Sequence, residues 1–365
     1  MNEKIDKYIK KLADELNEDI KDEFSREQYQ KCADFGLLSM MTPSSVGGMA
    51  EKPSDILNAL KSMGYHFHDN GLSFVVTNSA IISAFAFPKY ASEEMSKDVY
   101  PGLFNGEYMG SYAITEANSG SDTYSMSTSV KRENGVLMLN GRKMYISNAS
   151  IADVFIVAAK DDNGKISLVM LKKGDEGLSV GRQIHKMGLN NCPMAELIID
   201  NCTVSEKRIV GKYGSGMLLS SYILDWERCC NFASHLGTMK RIYERCKEYI
   251  RIRKQFGQKI GEYQLISSKV VKMKIAVDMA ELLLEKIGTM RDIGKSTFLE
   301  SAMFKYYVGE EYAKCCTEAL QIFGAYGYCT ESGIEREVRD ALGGRIYSGT
   351  SEIQLEIMAK MLGIK

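Results

Sequence analysis

The spacing of apolar positions changes twice along the chain. Over roughly the first hundred residues it is helical: Ile5, Tyr8, Ile9, Leu12, Leu16 and Ile20 recur three or four apart, with charges between them. "TPSSVGG" at 42–48 is a breaker-rich loop, and "SDILNALKSMGY" restarts a helix with Ser54 as candidate N-cap. From about 110 to 210 the pattern becomes short β-rich runs between turn signals. "VLMLNG" follows Asn134-Gly135 and "ISLVMLKK" follows Asn163-Gly164, and both pairs tolerate the positive φ that a tight hairpin needs. "ADVFIVAAK" and "AELIIDNCTV" are further strand candidates. No proline follows Pro193, and long amphipathic runs fill the remainder: "MKRIYERCKEYIRIRKQF", "ISSKVVKMKIAVDMAELLLEKIG" and "FLESAMFKYYVGEEYAKCCTEALQIFG". The pattern predicts an α+β multidomain chain. Its parts are an N-terminal helical domain over 1–109, a central antiparallel β-barrel or sandwich over 110–212, and a C-terminal helical bundle over 213–365.

Composition narrows the function classes. With 365 residues the chain exceeds a single small core, and 45% hydrophobic with 25% charged residues reads as soluble and globular. A formal net charge of −1 and the lack of a basic run argue against nucleic acid and anionic membrane as partners. The most apolar stretch, "GLSFVVTNSAIISAFAF", is interrupted by Thr77, Asn78 and Ser79, so a buried helix is expected rather than a membrane span. The N-terminus "MNEKIDKYIKK" carries no apolar signal core. Nine cysteines lack metal or redox spacing, and the pairs Cys229-Cys230 and Cys315-Cys316 are not CxxC motifs. Free thiols in a reducing cytoplasm are the simplest reading.

Several familiar chemistries find no support. "GKYGSG" at 211–216 has the wrong glycine spacing for a nicotinamide fingerprint and reads as a connector. His66 and His68 sit in a helical region, which argues against a shared metal, and His185 and His235 are isolated and read as structural; no metal is expected. Four stretches stand out instead. "YAITEANSGSD" (112–122) joins a β-like run to a Gly/Ser-rich loop whose hydroxyls and N–H groups suit a polar heterocycle or phosphate. "NGRKMYISNA" (140–149) places Tyr145 and Ser147 on one strand face, "RKQFGQKIGEYQ" (253–264) ends a helix in a Gly-marked turn, and "QIFGAYGY" (321–328) is a glycine-rich helix end. Each is bland in isolation.

Together, in this order, they resemble the acyl-CoA dehydrogenase family over nearly the whole chain. The loop resembles the family's TEpxaGSD signature, the strand its NGxKxwItn, "RKQFG" its R-x-x-F-G and "QIFGAYGY" its Q-x-x-G-G-x-G. "KMGLNNCPMAELIIDNCTVSEKRIVG" (186–211) resembles its linking segment, with Val204-Ser205 in place of Val-Pro. The resemblance implies a C-terminal four-helix bundle and an FAD cofactor between the β domain and that bundle. It places Tyr112, Ile114 and Thr115 along the flavin, and Ser121 at the pyrophosphate or the acyl carrier. Tyr145 takes the place of the usual tryptophan and Ser147 that of the usual threonine near N5. Arg253, Gln255 and Phe256 would reach the FAD of a neighbouring subunit, with Gln321 and Gly324 at its adenosine end and Thr350 and Glu352 at an ADP portion. Ala325 stands where the family often has glycine. A cofactor shared in this way implies a homo-oligomer, a tetramer or at least a dimer. Electron-transfer flavoprotein or another acceptor would reoxidise the flavin.

The turn "RIYSGTSEIQ" (345–354) departs from the family, which usually has a catalytic glutamate where this chain has Ser348. The reaction type needs fixed donors on the thioester carbonyl and a water-shielded carboxylate for the α-proton. The resemblance assigns one donor to the backbone N–H of Ser348, for which the serine side chain is expected to be immaterial. "LDWERCC" (224–230) matches the L-D-x-E-R of the isovaleryl-CoA and long-chain subgroups, making Glu227 the base and Arg228, with Tyr347, a substrate neighbour. The bland alternative for Glu227 is a solvated helix carboxylate paired with a lysine or arginine. Asp225 points to another side of the helix, and Trp226 is expected to pack.

The expected function is FAD-dependent dehydrogenation of a small acyl thioester, carried on CoA or on an acyl carrier protein. "HDNGLSFVVTNSAII" (68–82) leans toward carrier-acting members, which also oxidise hydroxyacyl or aminoacyl groups. The carrier stays open at this point. A same-fold flavin oxidase or monooxygenase and a non-catalytic scaffold are the competing readings.

Overall fold

The computed structural model describes residues 3–17, 23–82 and 90–364. Helices α1 (Glu3–Leu16), α2 (Arg26–Asp34), α3 (Pro53–His66), α4 (Asn70–Ile81) and α5 (Glu93–Phe104) come first. The apolar stripe of α1 is buried through Ile9, Leu12 and Leu16, while Tyr8 lies outside it and stacks on Phe35; Ile20 is outside the described residues. Segment 42–48 is the expected loop, with a short 3-10 turn over Ser44–Val46. Ser54 is not the cap of α3. Pro53 occupies the first helical turn, where its missing N–H costs nothing, so the cap is Lys52. The Ser54 N–H and hydroxyl instead donate to Asp292 at 3.0 and 2.6 Å. Helix α4 is apolar and almost wholly buried, and Asp69 caps it by accepting the Leu72 N–H. Among the described residues no helix is long and apolar enough to cross a membrane.

Strands β1 (Gly110–Ala113), β2 (Ser129–Glu133), β3 (Val136–Ser147), β4 (Val154–Lys160), β5 (Ile166–Lys172), β6 (Leu178–Gln183), β7 (Met194–Ser205) and β8 (Ile209–Val210) follow. Their order is β6-β7-β3-β2-β4-β5-β8, with β1 on β4. The Asn134-Gly135 hairpin forms as the sequence indicates, both residues having positive φ. The sheet is mixed rather than wholly antiparallel: β1 runs parallel to β4, and β2 meets β4 in parallel at Ser129 and Lys160. The reason is connectivity, because the β2–β3 hairpin lies between β1 and β4 and a crossover can bring strands together in parallel. Strand β4 is apolar along nearly its whole length because both its faces are covered. Val154, Ile156 and Ala158 join the helical core, while Phe155, Val157 and Ala159 join a second core inside the β domain.

The remainder is α6 (Gly216–Ile252), a small hairpin of β9 (Lys254–Gln255) and β10 (Gln258–Lys259), then α7 (Gln264–Asp292), α8 (Phe298–Phe323), α9 (Ala325–Tyr328), α10 (Ile334–Gly343) and α11 (Ser351–Met361). Helix α6, about 55 Å long at 1.5 Å per residue, packs on α3, α7 and α8. Its crossing with α3 is very close: a Cβ on Gly64 would lie 1.8 Å from the Ser234 carbonyl oxygen, and one on Gly237 would lie 1.9 Å from that of Lys61. Thr238 and Arg241 then bond the Gly64 carbonyl. We expect Gly237→Ala to cost about 3 kcal/mol, the upper range for overpacking, because the obstacle is backbone. Urea denaturation measures this; an unchanged midpoint contradicts the crossing.

Candidate active site at the α6 and 345–351 junction

Glu227 lies seven residues after Ser220, two turns on, so both share one face of α6. Ser220 accepts the Tyr112 hydroxyl of β1 at 2.6 Å, which turns that face toward the start of the β domain. Asp225 is two residues earlier and points elsewhere, onto Arg291 at 2.7 Å, and the Arg291 guanidinium lies 3.8 Å from the Trp226 ring centre. Trp226 therefore packs, as expected.

Opposite Glu227 stands the turn before α11. Ser348 has φ +57, a left-handed conformation that favours glycine, and Gly349 follows at +85. The Ser348 carbonyl is held by Gln354 Nε2 at 3.1 Å and by Arg228 Nε at 3.4 Å, and Thr350 caps α11. Among the described residues the Ser348 N–H has no hydrogen-bond partner. The Ser348 hydroxyl donates to Glu227 Oε1 at 2.6 Å. The side chain thus has a contact of its own besides the backbone N–H, and nothing in the sequence indicates that position 348 meets 227 through a hydroxyl.

Glu227 forms no ion pair among the described residues, so the solvated, paired-helix reading fails. Burial pushes its carboxyl above the usual range, while the Ser348 hydroxyl and the Arg228 charge oppose that. Tyr347 closes the other side. Its ring lies 4.7 Å from Phe74 and its hydroxyl meets His235 Nε2. Burial holds His235 neutral, with its pKa pushed down to about 3.

The loop after β1 is organised by two residues that sequence reasoning passed over. Glu116 accepts from the Ser127 and Thr128 N–H groups, the Ser127 hydroxyl and Lys143 Nζ at 2.6–2.9 Å. Lys143 is fully buried and also donates to the Ile114 carbonyl at 3.0 Å. The signal was present, since Lys143 shares strand parity with Leu137 and Leu139, an inward position where an unpaired lysine is untenable. The Thr115 carbonyl takes the Met144 N–H. Tyr145 follows at a β-bulge with φ +60, rare for an aromatic, and its ring is half exposed. Ser147 ends the same strand, where its carbonyl accepts the Ser111 hydroxyl. Ser121 lies exposed in the loop.

Arg253, Gln255, Phe256 and Gly324 come together elsewhere, around an open cleft of about 640 Å³ walled by Tyr249 and Phe323. Phe256 is 95% exposed at the β9–β10 turn. Gln321 is exposed on the last turn of α8, and Glu352 is in the first turn of α11. Arg253 has no carboxylate partner among the described residues. An unpaired guanidinium with flat aromatic walls suits a phosphate joined to a planar heterocycle, so the donor set fits one end of a dinucleotide. The cleft and the Glu227 junction are separate places on this chain.

Comparison with known proteins gives one consistent result. Profiles of the acyl-CoA dehydrogenase N-terminal, middle and C-terminal domains match residues 1–107, 111–202 and 214–363. An L-prolyl-[peptidyl-carrier protein] dehydrogenase of Pseudomonas fluorescens is 33% identical over 93% of this chain and 90% of its own. The crystal structure of the prolyl acyl carrier protein oxidase AnaB superposes with TM-score 0.94 at 35% identity, over 99% of this chain and 98% of that one. PigA with FAD and proline gives 0.95 at 28% identity, over 99% and 97%.

The Glu116 cluster predicts an acid-sensitive step. Its hydrogen bonds outweigh burial and pull the Glu116 pKa down to about 2. A depressed carboxyl stabilises the fold above its unfolded pKa, and that stability is lost as pH falls from about 4.5 toward 2. Glu116→Gln should flatten the pH dependence of unfolding in that window, and an unaltered slope contradicts the cluster's role.

Proposed function

The chain belongs to the acyl-CoA dehydrogenase family, and from that premise we propose that it is an FAD-dependent dehydrogenase of a small acyl thioester with Glu227 as its base. The observation that carries this is the Glu227 carboxylate itself, half-buried, in no ion pair among the described residues and facing the 345–351 turn where the usual glutamate is absent. Bound FAD supplies the hydride acceptor for the β-carbon. Glu227 takes the α-proton as the C–H bond breaks, and burial keeps it basic. The free Ser348 N–H is placed to donate to the thioester carbonyl, where charge develops. Arg228 holds the turn from behind, and Tyr347, locked by His235, walls the acyl pocket.

The residues that would hold FAD are Tyr112, Ile114, Thr115, Tyr145 and Ser147 at the flavin, with Ser121 at the pyrophosphate or the acyl carrier. From a second subunit would come Arg253, Gln255, Phe256, Gln321 and Gly324, with Thr350 and Glu352 at the ADP end. A homo-oligomer, dimer or tetramer, is consistent with the exposed apolar stripe of Val271, Ile275, Met279 and Leu282 on α7. Among carriers, the two prolyl-carrier relatives at 33 and 35% identity favour an aminoacyl group on a carrier protein over CoA. Electron-transfer flavoprotein or another acceptor removes the electrons.

Anaerobic mixing with matched prolyl and short acyl thioesters, on a phosphopantetheinyl carrier protein and on CoA, tests this. We expect the flavin to bleach fastest with the carrier-bound prolyl group. Glu227→Gln should slow bleaching by about 10³-fold, within the range for loss of a general base. Undiminished bleaching in Glu227→Gln contradicts the assignment of the base.

A further inference from the structure

The Ser348 side chain has a role of its own. Two independent features single it out. The first is conformational: at φ +57 a residue with a Cβ is strained, and glycine would sit there without penalty, as Gly349 does next door. The second is the hydroxyl's bond to Glu227 Oε1 at 2.6 Å. The backbone of the same residue is pinned through its carbonyl by Gln354 and Arg228, so the hydroxyl is held at a fixed place rather than on a free loop. Among the described residues no hydrogen bond reaches Glu227 Oε2.

We propose that Ser348 is a positioning residue for the base: its hydroxyl fixes the Glu227 carboxylate plane and leaves Oε2 as the oxygen that receives the substrate's α-proton. The inference rests on Glu227 being the base. In the step, the α-C–H bond breaks, its proton forms an O–H bond at Oε2, and its electron pair becomes the new Cα–Cβ bond as the β-carbon gives up its hydride to the acceptor that oxidised FAD would supply. The serine hydroxyl keeps donating to Oε1, but now to a neutral acid and more weakly. The bond therefore favours the ionised, ready state. It also counters burial, so position 348 sets how basic Glu227 is. The other titratable groups facing Glu227 are Arg228 on its own helix, Tyr112 from β1 and Tyr347 from the turn. Burial keeps both tyrosines protonated, leaving the serine as the adjustable partner.

Ser348→Gly removes the hydroxyl and relieves the backbone, so it separates the bond from strain; Ser348→Ala removes the hydroxyl alone. Single-turnover flavin reduction is followed against pH in both, beside wild type and Glu227→Gln, and the Glu227 carboxylate is titrated by infrared spectroscopy with ¹³C-labelled glutamate. We expect the acidic limb and the infrared titration to move to higher pH together in both serine variants. We also expect the rate on that limb to fall about tenfold, the scale of a hydrogen bond to a charged group, with KM little changed. A KM rise with limb and titration unmoved overturns the inference while Glu227 stands, since the hydroxyl then serves the substrate. Full reduction by Glu227→Gln overturns the base assignment and this inference with it.

Discussion

The Asp225 carboxylate meets the Arg291 guanidinium at 2.7 Å inside the helical bundle, and that contact fixes the rotation of α6. Arg291 is itself held by the Thr297 and Ser301 hydroxyls at 2.8 and 3.2 Å and by the Trp226 ring. A buried pair anchored this way is costly to break, about 3–5 kcal/mol when one partner is lost. Ten or so residues further along, the Gly64–Gly237 approach clamps the same helix to α3. Between the two clamps α6 has no freedom to turn, so the face bearing Ser220 and Glu227 must look toward β1 and the 345–351 turn. A rotation of one residue, about 100°, would take Glu227 out of reach of Ser348.

The charges around the site follow from that placement. Burial raises Glu227, the nearby positive charge comes from Arg228, and Arg228 has a second cationic neighbour in Lys305 of α8. Lys305 is fully buried above the Phe232 ring, and burial beside Arg228 lowers it to about 8. His235 cannot add to this charge, because burial holds it neutral against Tyr347. The β domain solves a similar problem differently. Its loop after β1 hangs on Glu116 and Lys143, a buried pair whose hydrogen bonds are complete on the carboxylate side.

The helix–β–helix order was legible because periodicity switches sharply at both boundaries, and the Asn134-Gly135 hairpin because its turn demands those residues. Glu227 entered as the candidate base only by subtraction: Ser348 stands where an acid was expected, and "LDWER" supplies one 121 positions earlier. The parallel pairing of β1 with β4 was hidden, since alternation of apolar residues records burial and not direction. The start of α3 was misread because Ser54 is a good cap in general, whereas Pro53 locally fixes the first turn. The Ser348–Glu227 bond spans 121 positions and depends on a left-handed turn that nothing in the local sequence except Gly349 announces.

The central claim is that Glu227 removes the α-proton. It is tested most directly on enzyme whose flavin has been reduced beforehand, where no oxidation can follow and only the base can act. Carrier-bound prolyl thioester in D₂O should then gain deuterium at its α-carbon on wild type, read by mass spectrometry, and should gain it no faster than in buffer on Glu227→Gln. Equal wash-in on the two proteins would contradict the account and place the base elsewhere.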